Sequence, residues 1–222
     1  MRPISVGIVG LTGASSTSVR SATAATGPGP LTLVLDGPLV SGGVATLDQP
    51  RRVLLTVNAN ESAVTVTLTG TTFVGQAATE TITLPGATGG VASVLDYKTI
   101  TKAVSSTGLT STLAIGTTGS AGTPWVYFDS WADPVASIQT DVSGTVNYTV
   151  QQSLDNPNDP VSPVLPQNMT WFSATGVSSG STGAQIGSFS PCPAFARVLI
   201  NTGATGTSGV TGTFQQFSNV PK

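Results

Sequence analysis

The chain has 222 residues, of which 39% are hydrophobic and only 8% charged, and its formal net charge is -2. A charge so close to zero supplies no basic field for phosphate neutralisation, which argues against an electrostatically driven nucleic-acid binder. Histidine is absent, so Ser-His-Asp triads, Cys-His pairs and His-rich zinc sites are excluded, and with them most hydrolases and metalloenzymes.

The first 30 residues predict a strand followed by a spacer. The apolar run over Ile4–Val9 is interrupted by Ser5 and Gly7 and is too short to span a membrane. The Gly- and Pro-rich segment 26–30 is typical of a semi-rigid linker. We therefore predict that residues 1–30 form an extended N-terminal arm, whose strand adds to the sheet edge of a neighbouring subunit.

Residues 31–132 predict a first β-sandwich block. The runs 53–57 and 63–69 flank a polar, turn-rich stretch at 58–62, a pattern that indicates a hairpin. In the second run apolar and Thr positions alternate, as in a half-buried strand. Further strands are predicted at 31–35, 79–84, 98–104 and 112–115.

Residues 133–222 predict a second β block, which begins where Asp133-Pro134 punctuates the chain. Segments 144–152 (GTVNYTVQQ) and 209–216 (GVTGTFQQ) resemble each other and both end in Gln-Gln, which indicates that they pair. Strands are predicted at 136–140, 145–152, 169–172, 194–200 and 210–217.

Strands that recur about every 10 to 15 residues, with turn residues between them and no sustained helical periodicity, indicate an all-β fold. We predict an antiparallel β-sandwich, jelly-roll-like, in two β blocks with the N-terminal arm. No window reaches the roughly 20 apolar residues that a membrane-spanning helix needs, so no membrane partner is expected.

Two groups of acidic residues have side chains that could bind a metal ion or act as an acid and a base. The loop from Asp155 to Asp159 collects carboxylates and amides of the kind that Ca²⁺ prefers, but it lacks EF-hand spacing and its Asx-Pro steps are ordinary turn formers. Asp129 and Asp133 have the residue type of a glycosidase acid and base. Turn and capping roles are favoured for both groups, so no catalytic, cofactor or metal residue is assigned.

Several other residues have both a chemical and a structural interpretation. Cys192 lies between two prolines with no histidine to activate it, which favours a packing role. The pair Arg51-Arg52 either keeps a sheet edge soluble or forms an intersubunit salt bridge. Chance matches to the glycosylation sequon are expected in so Ser- and Thr-rich a chain, and they begin at Asn60, Asn147 and Asn168.

Aromatic residues of the second half have the chemistry to stack on a sugar, as in a carbohydrate-binding module. Along a strand, however, Trp125 and Tyr127 share one face while Val126 and Phe128 share the other, so at least one pair is expected in the core. Packing is therefore favoured over sugar binding. The remaining aromatic candidates are Trp131, Trp171 and Phe172.

Specific segments of the chain resemble a family of tailed-bacteriophage virion structural proteins. They include LVSGGVATLDQPRRVLLT at 39–56, SVLDYKTIT at 93–101 and GTVNYTVQQ at 144–152. Shorter words follow the same order, so the resemblance covers nearly the whole chain: TLTGT at 67–71, TETIT at 79–83, PWV at 124–126, LDNP at 154–157 and FARVLIN at 195–201.

The resemblance implies a non-enzymatic structural component of the virion, without cofactors, and the role that it favours is a capsid decoration or cement protein on the outer surface of the bacteriophage capsid. Its partners would be the major capsid protein and further copies of itself. A surface so poor in charge favours such a homo-oligomer, and capsid geometry suggests a trimer. The alternative is a head-fibre or tail appendage with a receptor- or carbohydrate-binding role.

Overall fold

A computed structural model describes residues 3–72, 75–129, 135–189 and 191–216. Antiparallel strands are the main element of these residues, and their only helical element is a single 3₁₀ turn at Pro166–Asn168. The predicted all-β sandwich fold is confirmed.

Sixteen strands are named here in chain order. They are β1 (Ile4–Val9), β2 (Ser15–Ala24), β3 (Leu31–Thr32), β4 (Val40–Ser41), β5 (Val44–Val57), β6 (Thr65–Thr71), β7 (Ala77–Thr83), β8 (Gly89–Ser105), β9 (Thr112–Gly122), β10 (Val126–Tyr127), β11 (Ala136–Ser143), β12 (Val146–Ser153), β13 (Phe172–Ser173), β14 (Gln185–Phe189), β15 (Phe195–Gly203) and β16 (Gly209–Gln216).

The chain divides into two compact units. The terminal unit comprises Met1–Thr12 and Ser120–Lys222, and the inserted unit comprises Gly13–Gly119. This differs from the predicted division into 1–30, 31–132 and 133–222, because the inserted unit is one continuous stretch that interrupts the terminal unit between β1 and the end of β9. The short strand β10 therefore lies in the terminal unit, whereas the sequence pattern placed it in the first block.

In the inserted unit, the predicted hairpin between 53–57 and 63–69 is wrong, because β8 separates these two strands. With 17 residues, β8 is long enough to pair with β5 from Val57↔Gly89 to Ala45↔Ile100 and with β6 from Thr71↔Thr99 to Val66↔Ser105. It therefore lies between β5 and β6, and the hairpin partner of β6 is β7.

The core of the inserted unit follows the alternation of its strands. Val66 and Leu68 of β6 are completely buried, whereas the Thr residues between them face outward. They pack with Val53 and Leu55 of β5 and with other apolar side chains of the same unit. The predicted half-buried character of this strand is confirmed.

The terminal unit is a sandwich of two sheets. One sheet has the order β1-β16-β11-β14; the other contains β13, β12 and β15, with β10 and the last residues of β9 paired to β15. Strands β12 and β16 lie in different sheets, so the predicted pairing of 144–152 with 209–216 is wrong. The two segments resemble each other because each places an aromatic side chain, Tyr148 or Phe214, in the common core.

The predicted N-terminal arm is also corrected. Strand β1 pairs along its whole length with β16 of the same chain, from Ile4↔Phe214 to Val9↔Gly209. Ile8 is buried in the core of the terminal unit, which fixes β1 in place. Residues 15–24, the next part of the predicted arm, form β2 and pair with β9 in the inserted unit.

Candidate functional site

The acidic loop from Asp155 to Asp159 directs its carboxylates at its own backbone. Asp159 Oδ1 accepts hydrogen bonds from the Val161 and Ser162 N–H groups, both at 2.8 Å, and these bonds hold the pKa of Asp159 below its usual value. Asp155 Oδ2 accepts one from the Thr170 N–H at 2.5 Å. Among the described residues, no group of three or more acidic or cysteine side chains is placed to hold a metal ion. The geometry is that of a capped turn.

The other reactive candidates also make structural contacts. The Asp129 backbone pairs with the Gln216 side chain through an N–H donor and a carbonyl acceptor, both at 2.8 Å. Asp133, its suggested catalytic partner, lies outside the described residues. Cys192 is half-buried against the core of the terminal unit, and burial raises the pKa of its thiol, which opposes nucleophilic reactivity.

Arg51 contradicts the prediction of an edge or intersubunit role. Its side chain is fully buried in the inserted unit, where it forms an ion pair with Asp48 at 3.1 Å and donates to the Thr118 carbonyl. The register of β5 against β8 is irregular between Thr46 and Arg51. The guanidinium thus links the bulged stretch of β5 to β9.

Carboxylates elsewhere in the inserted unit cap backbone N–H groups, a role that sequence reasoning missed. Glu61 Oε1 accepts from the Thr110 N–H and hydroxyl and from the Ser111 N–H, at 2.7–2.8 Å. Burial alone would raise the pKa of Glu61, but these hydrogen bonds outweigh burial and lower it. Glu80 accepts from Val94 and Leu95 N–H groups in the same way.

The sequon asparagines that show hydrogen bonds use their side chains internally. Asn147 donates to the Gly180 carbonyl at 2.7 Å and accepts from Asn201 at the same distance. Asn60 Oδ1 accepts from the Ser62 N–H and hydroxyl, which closes a turn. These contacts give both residues a structural explanation.

The aromatic residues of the terminal unit separate into two layers, as the alternation predicted. Val126 and Phe128 are buried in the core, and Phe128 contacts Phe189 and Phe214 with ring centroids 5.6 Å and 6.2 Å apart. Trp125 and Tyr127 lie on the opposite face of β10.

On that second face the rings form a connected cluster. Trp125 contacts Trp171 at 5.3 Å and Phe195 at 6.0 Å, and Tyr127 contacts Phe195 at 5.3 Å. The Arg197 guanidinium stacks over Trp171 at 4.2 Å and donates to the Gln151 side chain. Trp171 is therefore a packing residue, whereas Trp131 lies outside the described part of the chain.

A groove of about 240 Å³ adjoins this cluster in the terminal unit. Its lining comes from three separate parts of the sequence: the end of β12 and the loop after it, the residues around β13, and the prolines on either side of Cys192. Phe172, on its wall, is 61% exposed. The sequence placed Phe172 among the aromatic candidates but gave no signal that these segments meet.

Comparison with known proteins gives no relative: no protein-family model, no curated protein and no solved structure matches this chain. Within the described residues there is no helix with the length and apolar character needed to cross a membrane.

Proposed function

We propose that this protein is a non-enzymatic structural component of a tailed-phage particle, a decoration or cement protein that binds the outer capsid shell and stabilises contacts between major capsid subunits. The terminal unit is the part that docks on the shell and on other copies of the chain.

The observation that carries this proposal is the unequal distribution of exposed apolar side chains. Among the described residues, all the large hydrophobic side chains that are markedly exposed belong to the terminal unit, except Val34 and Val94. Exposed apolar patches mark protein interaction sites, and we assign the docking role to the unit that carries most of the exposed apolar side chains. The terminal-unit set is Ile4, Val9, Tyr127, Val135, Leu154, Val161, Leu165, Phe172 and Ile186.

The outer face of the inserted unit has the opposite chemistry. Strands β6 and β7 place Thr opposite Thr at three successive outward positions, Thr65↔Thr83, Thr67↔Thr81 and Thr69↔Thr79. Thr67 and Thr81 are joined by a hydroxyl hydrogen bond of 2.9 Å. A hydroxyl-covered surface of this kind suits contact with water.

The edge strands of the terminal unit support self-association. Strands β1 and β14 lie at the two ends of its four-stranded sheet, and neither strand contains a charged residue or a proline, which are common protections of a free edge. Either edge can accept a strand from another copy or from the shell.

The proposal is tested on particles that lack this protein and are then incubated with purified protein. Wild-type protein is expected to bind the particles and to raise the temperature at which they release DNA. Replacement of Ile186, 79% exposed on β14, by Asp is expected to abolish both effects, because it places a charge in the proposed contact. Val94→Asp is the matched control, since Val94 is 54% exposed on β8 of the inserted unit.

Equal loss of binding in both variants, or binding that survives Ile186→Asp, contradicts docking through the terminal unit. Failure of the wild-type protein to bind the shell contradicts the cement role and favours the head-fibre or tail appendage.

A further inference from the structure

The four-stranded sheet of the terminal unit ends in two strands that are paired on one side. β1 pairs with β16 and β14 pairs with β11, and within the described residues neither end strand has a second ladder. In that part of the chain, no backbone hydrogen bond outside the ladders involves residues 4–9 or 186–189. Each end of the sheet therefore presents N–H and C=O groups that another strand can pair with.

Both end strands carry an exposed apolar side chain on the same face of the sheet. Ile186 of β14 lies opposite Gln139, which lies opposite Thr213. Thr213 in turn lies opposite Ser5 of β1, and Val9 follows Ser5 by an even number of positions. Val9 and Ile186 therefore share the face that points away from the core, and they are 52% and 79% exposed.

The direction of the end strands determines how two copies can be joined. Three successive antiparallel pairings separate β1 from β14, so the two strands run in opposite directions. When a second copy continues the sheet in the same orientation, its β1 meets β14 of the first copy in the antiparallel sense. A two-fold contact would instead join β1 to β1 or β14 to β14, and it would cover one of the two exposed apolar positions but not both.

One register of the contact between β14 and β1 places compatible residues opposite each other. With Ile186 opposite Val9 of the next copy, the two exposed apolar side chains cover one another and remove apolar surface from water. The neighbouring pair on the same face is Ser188 with Gly7 of the next copy, and these small residues allow the backbones to approach closely. No charged side chain of either strand is buried by this pairing.

We propose that copies of this chain associate head to tail, with β14 of one copy paired antiparallel with β1 of the next and Ile186 opposite Val9. This inference rests on the self-association that the proposed function includes, and it adds which edges meet and in which direction. A head-to-tail contact forms a ring when the rotation between copies closes. A ring of three copies would match the trimer that capsid geometry suggests.

The test is disulfide cross-linking between two variants of the full-length protein, Val9→Cys and Ile186→Cys, each in a Cys192→Ser background. Directly opposite residues of an antiparallel pair have Cα atoms about 4.5–5.5 Å apart, a separation that a disulfide spans. After mild oxidation of concentrated purified protein, we expect the equimolar mixture to contain at least about tenfold more cross-linked dimer than either variant alone, because the contact holds the two thiols at a high effective concentration.

A mixture of Ile186→Cys with Val94→Cys, in the same background, is the matched control. Val94 is 54% exposed in the inserted unit, so this mixture is expected to form no more dimer than its components alone. Thermal unfolding of each variant is compared with that of wild type, and Cys192→Val replaces Cys192→Ser if the serine lowers the unfolding temperature.

The proposal is overturned if the mixture of Val9→Cys and Ile186→Cys forms no more dimer than the Val94→Cys control. It is also overturned if either variant alone forms as much dimer as the mixture, which a two-fold contact would produce. Because no particles are used, failure of this test leaves shell binding untouched. Failure of the wild-type protein to bind the shell would contradict the cement role and leave the head-to-tail contact in place.

Discussion

Charged side chains in this protein act mainly on its own backbone. Arg20 donates to the carbonyls of Thr23 and Leu113, and Glu61 accepts from Thr110 and Ser111. These are positions where loops or irregular strands leave backbone groups unpaired, and a buried unpaired backbone group is costly. Few charges are present, and the buried residues Arg20, Arg51 and Glu61 each make hydrogen bonds to backbone groups.

Glu61 makes a pH-dependent contribution that can be measured. Because its pKa is lowered in the folded state, the stabilisation is present above the unfolded carboxyl pKa of about 4.3 and is lost as the pH falls through the lower folded value. We expect Glu61→Gln to reduce the free energy of unfolding by about 1–2 kcal/mol at pH 7, through loss of charge-assisted hydrogen bonds.

Denaturant unfolding at pH 7 and pH 3 measures this difference, which is expected to shrink at the lower pH. Asp141→Asn is the control, because within the described part of the chain the Asp141 carboxylate accepts from one side chain, the exposed Gln139 nearby. If Glu61→Gln and the wild-type protein have the same free energy of unfolding at pH 7, the stabilising role of the Glu61 cap is contradicted.

Individual strands were more predictable than their partners. Alternating apolar and Thr residues identified β6, because its buried Val66 and Leu68 are separated by outward-facing Thr. Strand β2 was missed, since SSTSVRSATA lacks an apolar alternation and buries mainly Val19 and the paired Arg20. The sequence wrongly predicted a hairpin of β5 with β6. Local sequence indicates where a strand ends, but it does not indicate that a strand as distant as β8 lies between β5 and β6.

Substitutions in strand β1 test whether this strand is part of the sandwich or a free arm. Ile8 is buried opposite Val210, so Ile8→Ala is expected to lower the free energy of unfolding by about 2–5 kcal/mol through lost contacts and the cavity left behind. Val9→Ala, on the exposed face of the same strand, is the control and is expected to change stability by less than about 1 kcal/mol. If both variants unfold like wild type, β1 is not held in the sandwich.

At the scale of the whole molecule, the sequence predicted an all-β chain with two blocks but not the insertion of one unit into the other. The terminal unit takes its strands from both ends of the sequence, a closure that depends on contacts between residues about 200 positions apart, such as Val6↔Gly212. The groove was hidden for the same reason, since Gln152, Phe172 and Pro193 are brought together only by the fold. The alternation of apolar residues and the positions of turn residues indicate local conformation, but they do not indicate which distant segments come into contact.

The two units have different surfaces, and this difference is the basis of the proposed role. The proposed coat protein would dock through the terminal unit, which carries most of the exposed large apolar side chains, whereas strands β6 and β7 of the inserted unit carry outward-facing Thr hydroxyls. A coat requires many copies, whereas a fibre or tail appendage requires few. Copy number therefore separates the cement role from its alternative.

The most direct test is quantitative mass spectrometry of purified particles, which measures the molar ratio of this protein to the major capsid protein. The cement role predicts a ratio near one or a simple fraction of one. A ratio far below that would place the protein at a vertex, neck or tail and contradict the cement role.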